Sequence, residues 1–145
     1  MCYNNQRTLE TAEVDAVAQT DSCQKVALTI PARNEYRLVA GMTLSAMGVL
    51  AGLDVELLGD VRTVASECMD CLMHQAGRPR QLSLEAQVKE NRLVMLFQAQ
   101  ERQGGGMADT LALEITRGVL ETLMPQVELL EDEQGVHTIQ CSMPV

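Results

Sequence analysis

The sequence predicts an α+β fold, a two-layer sandwich in which a mixed, mostly antiparallel sheet carries three helices on one face. The hydrophobic period alternates along the chain between 2 and 3.6 residues. The predicted segments follow the order β-α-α-β-β-α-β-β, and tight turns join neighbouring strands, which favours antiparallel pairing. Residues 1–23 lack clean periodicity and are expected to be a flexible or irregular extension, and residues 24–145 are expected to form one domain.

The domain begins with a predicted strand and helix. Alternating β-branched residues predict a strand over residues 25–30, which Pro31 ends. Asn34 is a suitable N-cap for a helix that runs to about Ala51. The apolar residues at helical spacing in this helix are Leu38, Val39, Met42, Ala46, Met47 and Leu50.

The second predicted helix is the most strongly marked element. Gly52 separates it from the first helix, and Asp54 is a good N-cap. The helix is expected to reach about Gln75, because Gly77 and Pro79 terminate the pattern. Its predicted apolar face comprises Leu57, Leu58, Val61, Val64, Ala65, Cys68 and Leu72.

The second half of the domain is predicted to be mainly strands. Alternation over residues 81–89 indicates a half-buried strand, and the apolar run 93–97 indicates a central one, with a tight turn at Glu90 and Asn91. The later elements are a flexible loop at 103–106, a helix over 110–124, and a hairpin with strands 126–130 and 136–142 around a turn at 132–135.

Composition excludes several classes of function. The chain has 11 basic and 20 acidic residues, a net charge of −9, and only three aromatic residues, which argues against nucleic-acid binding. No apolar run approaches the roughly 20 residues of a membrane span, and the polar N-terminus does not resemble a signal peptide. We therefore expect a cytoplasmic protein whose five cysteines are free thiols.

A short motif in the second helix indicates a family. Residues 60–67 read DVRTVASE: an acidic residue, then Arg and Thr, then Ser and Glu. This octet resembles the N-box helix of bacterial anti-sigma factors of the serine-kinase type, which belong to the histidine-kinase-like (GHKL, Bergerat-fold) ATPases. The order of elements from Lys25 onwards is also similar to that family. The resemblance implies a Bergerat-like fold and a site for ATP and Mg²⁺.

The resemblance assigns roles to residues around the octet. In the family, the Glu acts as a base or orients water, and an Asn four residues later holds Mg²⁺. Glu67 occupies the first position, whereas Cys71 stands in place of the Asn. A thiol is a poor ligand for this hard cation, and Asp70 lies about 100° away around the helix.

The other two nucleotide motifs of the family are also altered. Arg102 stands where an Asp accepts a hydrogen bond from adenine, and Arg cannot accept one. Ala112 carries a Cβ where the family brings its backbone close to phosphate. The candidate site is therefore a degenerate nucleotide site with Glu67 as a residual catalytic carboxylate and no resident metal, comprising Glu67, Asp70, Cys71, Arg102, Gly104 and Gly106.

The resemblance implies a regulator that acts by protein binding. Its expected partners are a sigma factor and/or an anti-anti-sigma (STAS) protein, and the relatives are usually homodimers. One alternative is an active, divergent serine kinase of an anti-anti-sigma protein, with Asp70 or water replacing the missing Asn. A second alternative is a thiol or metal sensor that uses Cys68 and Cys71 with His74, Cys141 or His137.

Each feature also has a plainer structural interpretation. Glu67 is then a helix residue paired with Arg62 or Arg78, and the glycines form a mobile surface loop. The cysteines are then core thiols. The methionine and leucine residues of the first helix form either core or a groove for a partner helix. The acidic residues between 128 and 133 form either a solvated turn or a site that attracts a basic helix of a sigma factor.

Overall fold

A computed structural model describes residues 25–145 of the protein. The extension expected over residues 1–23 lies outside the described residues, as do Cys2 and Cys23. The described elements follow the predicted order β-α-α-β-β-α-β-β. The predicted α+β fold class is therefore confirmed.

Five strands form one sheet with the spatial order β1-β2-β3-β5-β4. Every strand pair in this sheet is antiparallel, so the sheet is not mixed as we expected. The central position of β3 agrees with its apolar sequence. The strands are β1 (Lys25–Pro31), β2 (Gln81–Lys89), β3 (Arg92–Gln100), β4 (Gln126–Asp132) and β5 (Gly135–Pro144).

The turn between β2 and β3 confirms the predicted tight hairpin. Lys89 pairs with Arg92, so the loop contains only Glu90 and Asn91. These two residues have φ angles of 51° and 58°. Positive φ at both central residues is the geometry of a type I′ turn, whose twist matches that of the flanking strands.

One face of the sheet supplies half of the hydrophobic core. Alternate residues of the strands point toward the helices and are buried, because successive side chains in a strand lie on opposite faces. The buried residues of all three helices belong to the same cluster. The sheet's contribution from its three middle strands is Leu82, Leu84, Ala86, Leu93, Met95, Phe97, Val136, Ile139, Cys141 and Met143.

The first helix, α1 (Arg37–Leu50), buries a different face from the predicted one. Among the apolar positions identified from its periodicity, only Met47 is buried, whereas Leu38 and Met42 are more than half exposed. The predicted N-cap is also wrong, because Asn34 begins a short 3₁₀ turn and its side chain accepts a hydrogen bond from Arg37. The residues that α1 buries are Ala40, Gly41, Leu44, Met47 and Gly48.

Close packing against the second helix explains this choice of face. A Cβ added at Gly48 would lie 2.7 Å from Leu58 Cδ2 and 3.2 Å from Leu53 Cδ1. The small residues of α1 therefore let the two helices approach closely, because Gly has no Cβ to keep their backbones apart. Hydrophobic periodicity favours burial of the face with the larger apolar side chains. In the folded protein the face with the small residues is buried instead, because it packs closely against α2.

The second helix, α2 (Val55–Met73), confirms most of its prediction. The Asp54 carboxylate caps it by accepting a hydrogen bond from the Leu57 amide at 2.9 Å. The predicted apolar face is buried from Val61 to Leu72, while its two leading leucines are half-buried. Helix α3 (Thr110–Leu123) packs on the other side of α2 from α1, so α2 is the middle helix of the layer.

Within residues 25–145, no helix combines the length and the hydrophobicity that crossing a bilayer requires.

Candidate functional site

A cavity of about 230 Å³ lies between the C-terminal half of α2 and the first turns of α3. Two of the predicted site residues, Asp70 and Cys71, line it. Glu67 borders it through Thr116, whose hydroxyl donates a hydrogen bond to Glu67 Oε2 at 3.3 Å. The structure therefore brings Glu67, Asp70 and Cys71 together around one cavity. Its remaining lining comes from His74, Asp109, Ala112, Leu113 and Thr116.

The Asp70 carboxylate is engaged within the protein. It forms an ion pair with Arg37 of α1, and Arg37 also donates to the Ser66 hydroxyl at 3.0 Å. The His74 ring nitrogen Nδ1 lies 3.6 Å from the same carboxylate. Asp70 thus ties α1 to α2, and its charge is already compensated. The contacts of Asp70 with Arg37 and His74 are both made by its Oδ1 atom.

The Cys71 thiol is neutral at physiological pH. Burial raises the pKa of Cys71 to about 12, an effect that nearby Arg117 opposes. Burial also raises the pKa of Cys68 well above its ordinary value, with a further contribution from contact with the Cys141 thiol. Metal ligation and nucleophilic attack both need the thiolate, so these side chains behave as packed core groups.

Glu67 does not have the partner that we expected. Its described hydrogen bond comes from Thr116. Neither of the predicted ion pairs, with Arg62 or Arg78, is found among residues 25–145. Arg78 instead donates to the Met73 carbonyl at 2.6 Å, because it lies just beyond α2, where the last carbonyl groups lack helical partners.

Arg102 lies in a second cluster, away from the cavity lining. Its guanidinium makes two hydrogen bonds to the Asp132 carboxylate, at 2.5 and 2.7 Å. The hydrogen bond from Arg102 holds the pKa of Asp132 well below its usual range. This bidentate pair joins the end of β3 to the β4–β5 turn. Arg102, at the position that the resemblance assigns to adenine recognition, therefore serves as an internal link in this chain.

The glycine-rich loop is fastened to the chain that follows α2. The Gly106 amide donates to the Ala76 carbonyl at 3.0 Å, and Gln103 and Arg78 exchange two backbone hydrogen bonds of 2.7 and 2.8 Å. A Cβ at Gly106 would lie 2.5 Å from Arg78 Nε. Gly106 therefore allows close internal packing, and its amide already has an acceptor within the protein. Gly104 is exposed beside Gln134.

The residues present do not fit Mg-ATP. The cavity volume of about 230 Å³ is below the roughly 300–1,000 Å³ of typical small-molecule sites. Asp70 is ion-paired, the Asp109 carboxylate caps α3 by accepting from the Ala112 amide, and Cys71 carries a neutral thiol. The Gly106 amide is bonded to the protein itself. We therefore assign no chemical step to a bound nucleotide.

The cysteine and histidine cluster considered for metal binding is not assembled. Across the described range 25–145, no group of three or more His, Cys, Asp or Glu side chains is arranged to hold a metal ion. Cys68 and Cys71 are buried in the core, whereas the side chain of His74 is half exposed to solvent. The two cysteines share the inner face of α2, and the histidine lies at its end.

Sequence reasoning missed Gln75, which is fully buried. Its Nε2 donates to the Cys71 carbonyl at 2.6 Å, and its Oε1 accepts from the Val136 amide at 3.1 Å. It thereby satisfies backbone groups at the end of α2 and the start of β5. A signal was present, because Gln75 continues the i, i+3, i+4 stripe that contains Cys68 and Leu72.

Comparison with known proteins adds no family assignment. No protein-family model matches this chain, and no curated protein sequence matches it. The likeness to anti-sigma factors consequently depends on residues 60–67 and on the order of secondary-structure elements.

Proposed function

We propose that this chain is an anti-sigma-factor-like regulatory domain that acts in the cytoplasm by binding protein partners, without efficient ATP turnover. Its partners are a sigma factor and/or an anti-anti-sigma (STAS) protein. The observation that carries the proposal is the internal use of the candidate nucleotide site. Asp70 forms an ion pair with Arg37, and Arg102 forms one with Asp132. Burial keeps the Cys71 thiol neutral.

The exposure of the octet supports a role in binding. Val61, Val64 and Ala65 point into the core, whereas Arg62 and Thr63 on the same helix are exposed. Two polar side chains of the motif, Arg62 and Thr63, are thus presented to solvent on a helix. Arg is enriched among the residues that contribute most to protein–protein binding.

The acidic hairpin contributes less to partner binding than its sequence suggests. Glu131 forms an ion pair with Arg117 at 3.1 Å, and Asp132 is held by Arg102. Only the other acidic residues of this stretch, Glu128 and Glu133, are exposed without such a described pair. We therefore place the partner surface on α2, and the hypothesis that the hairpin attracts a basic helix is weakened.

Millimolar ATP or ADP, with or without Mg²⁺, is expected to leave the melting temperature of the reduced protein unchanged. A ligand at about 100 times its dissociation constant would stabilise the fold by about 2.7 kcal/mol, which a melting curve resolves. Cys71→Asn, which restores the amide of the family, is the matched variant for comparison.

Two outcomes would contradict a degenerate nucleotide site without efficient ATP turnover. One is an Mg²⁺-dependent rise in the melting temperature of the unaltered chain. The other is phosphorylation of an anti-anti-sigma protein at roughly 1 s⁻¹ or faster, within the range of protein kinases. Either result would favour the alternative of an active, divergent serine kinase.

Arg62→Glu is expected to weaken binding to a purified sigma factor or STAS protein at least tenfold, because it reverses the charge of an exposed group on α2. Isothermal titration calorimetry without nucleotide measures the affinity. Arg80→Glu, which reverses another exposed Arg beyond α2, is the control and should bind like the unaltered chain. Equal loss in both variants would indicate a nonspecific charge effect and contradict a surface on α2.

A further inference from the structure

A shallow groove of about 580 Å³ runs between α2 and α3. It lies on the other side of the Glu67–Thr116 hydrogen bond from the cavity described above, nearer the start of α2. Its α3 wall is a mainly apolar stripe at helical spacing, and Thr63 contributes the α2 wall. We name it the α2–α3 groove, and its lining residues are Thr63, Ile115, Gly118, Val119, Thr122 and Leu123.

The two polar side chains in this lining are already bonded within their own helices. The Thr63 hydroxyl donates to the Gly59 carbonyl at 3.1 Å, and the Thr122 hydroxyl donates to the Gly118 carbonyl at 2.7 Å. Their O–H donors are therefore used internally, and the rest of the lining is aliphatic or Gly. Such a lining suits apolar side chains better than a small polar ligand.

The α3 wall is exposed along about three helical turns. Leu111, one turn before Ile115 on the same stripe, is 66% exposed, and Ile115 is 59% exposed. From residue 111 to residue 122 the stripe is about 17 Å long. A Cβ added at Gly118 would meet no atom within 4 Å, so the groove is open there. These dimensions fit a partner helix, whose side chains at i, i+3, i+4 and i+7 fill grooves of this kind.

Acidic side chains border the α2–α3 groove. Asp60 and Glu67 lie three residues before and four residues after Thr63, so they share its side of α2. Glu56, one further turn back, is exposed in the first turn of the helix. Among residues 25–145, none of these three carboxylates forms an ion pair. The border of the groove therefore attracts basic side chains.

The neighbouring arginines do not cancel this charge. Arg117 of α3 is paired with Glu131 at 3.1 Å. Arg62 shares its flank of α2 with Ser66, whose hydroxyl accepts a hydrogen bond from Arg37 of α1. Arg62 thus lies on the flank of α2 that faces α1, and the groove lies on the flank that faces α3. The groove is therefore distinct from the partner surface proposed around Arg62.

We propose that the α2–α3 groove is a docking site for a basic amphipathic α-helix of another protein. Apolar side chains of that helix fill the groove, and its Lys or Arg residues lie beside Asp60 and Glu67. A second copy of this chain is a poor occupant, because its net charge of −9 opposes approach to an acidic border. The site is independent of whether a sigma factor or a STAS protein binds around Arg62.

Fluorescence anisotropy with the full-length chain and two synthetic peptides tests the proposal. Each peptide has about 14 residues, with Leu at i, i+3, i+4 and i+7 spacing. The remaining positions are Lys in one peptide and Glu in the other. The measurement is made in about 0.15 M salt, which screens exposed charges more than about 8 Å apart. Only the Lys peptide is expected to bind at micromolar concentration.

Two pairs of variants locate the bound peptide. Ile115→Asn should weaken binding of the Lys peptide at least tenfold, because it places a polar amide in the groove. Met42→Asn is its matched control, since Met42 is 60% exposed on α1, and it should bind normally. Asp60→Lys should also weaken binding at least tenfold. Its control is Glu128→Lys, which changes the net charge equally but lies on the face of the sheet away from the helices.

Circular dichroism verifies that each variant is folded. Failure of the Lys peptide to bind, binding of the Glu peptide with equal affinity, or equal losses within either pair of variants would overturn the docking site. Sedimentation equilibrium tests the other occupant. A dimer of the unaltered chain that Ile115→Asn converts to a monomer would assign the groove to a second copy, and would overturn the proposal as well.

Discussion

Three cysteines are expected to be unreactive in the folded protein. In a variant with Cys2 and Cys23 replaced by Ala, the remaining thiols should resist an aromatic disulfide reagent at pH 8. Cys68, Cys71 and Cys141 are no more than 3% exposed. Because burial raises the pKa of Cys71 to about 12, its thiolate fraction at pH 8 falls roughly a thousandfold.

The same pKa changes predict how stability depends on pH. The folded state keeps the proton of Cys71 up to about pH 12, whereas the unfolded state releases it near pH 9. The resulting stabilisation is complete below pH 9 and is lost as the pH rises from there towards 12. Denaturant unfolding between pH 8 and 11 should show this decline. A Cys71→Ala variant should show a shallower one.

The reaction of the buried thiols with the aromatic disulfide reagent is followed by the absorbance of the released aromatic thiolate. The control is the same reaction in guanidinium, which unfolds the chain. All three thiols should react within seconds once the chain is unfolded. Rapid reaction of one or more thiols in the folded protein would contradict the prediction. It would also favour the alternative in which the chain senses thiol reagents or metals.

The second large effect is expected at Gly135, the first residue of β5. This residue has a φ angle of +100°, and a Cβ there would lie 2.3 Å from Gln75 Oε1. Gly135→Ala is expected to destabilise the protein by about 2–4 kcal/mol. It imposes a backbone conformation that favours glycine and displaces the buried amide that accepts from the Val136 backbone.

A second glycine offers the matched control for this prediction. Gly118 lies within α3, and a Cβ there would meet no atom within 4 Å. Gly118→Ala should therefore stabilise the protein by roughly 1 kcal/mol, since Ala is the better helix former. Urea unfolding measures both values. Equal effects of the two substitutions would show that the turn geometry and the contact with Gln75 do not determine stability.

The candidate site was only partly predictable. Glu67 and Cys71 were placed correctly on α2 because their positions follow helical spacing within one element. Arg102, Gly104 and Gly106 were grouped with them by resemblance, yet the structure places them beside Asp132, Gln134 and Arg78. Those partners are 28–30 residues away along the chain, and local periodicity carries no information about such pairs.

The sequence by itself determined the order of elements, the hairpin turn at Glu90 and Asn91, and the inner face of α2. Each of these depends on neighbours a few residues apart, through strand alternation, turn conformation or helical period. Only the tertiary structure decided which face of α1 is buried and which charges are already paired. Those outcomes depend on how closely Gly48 lets two helices approach and on where Arg37 and Arg102 meet their carboxylates. Such contacts form between segments that the chain brings together only when it folds.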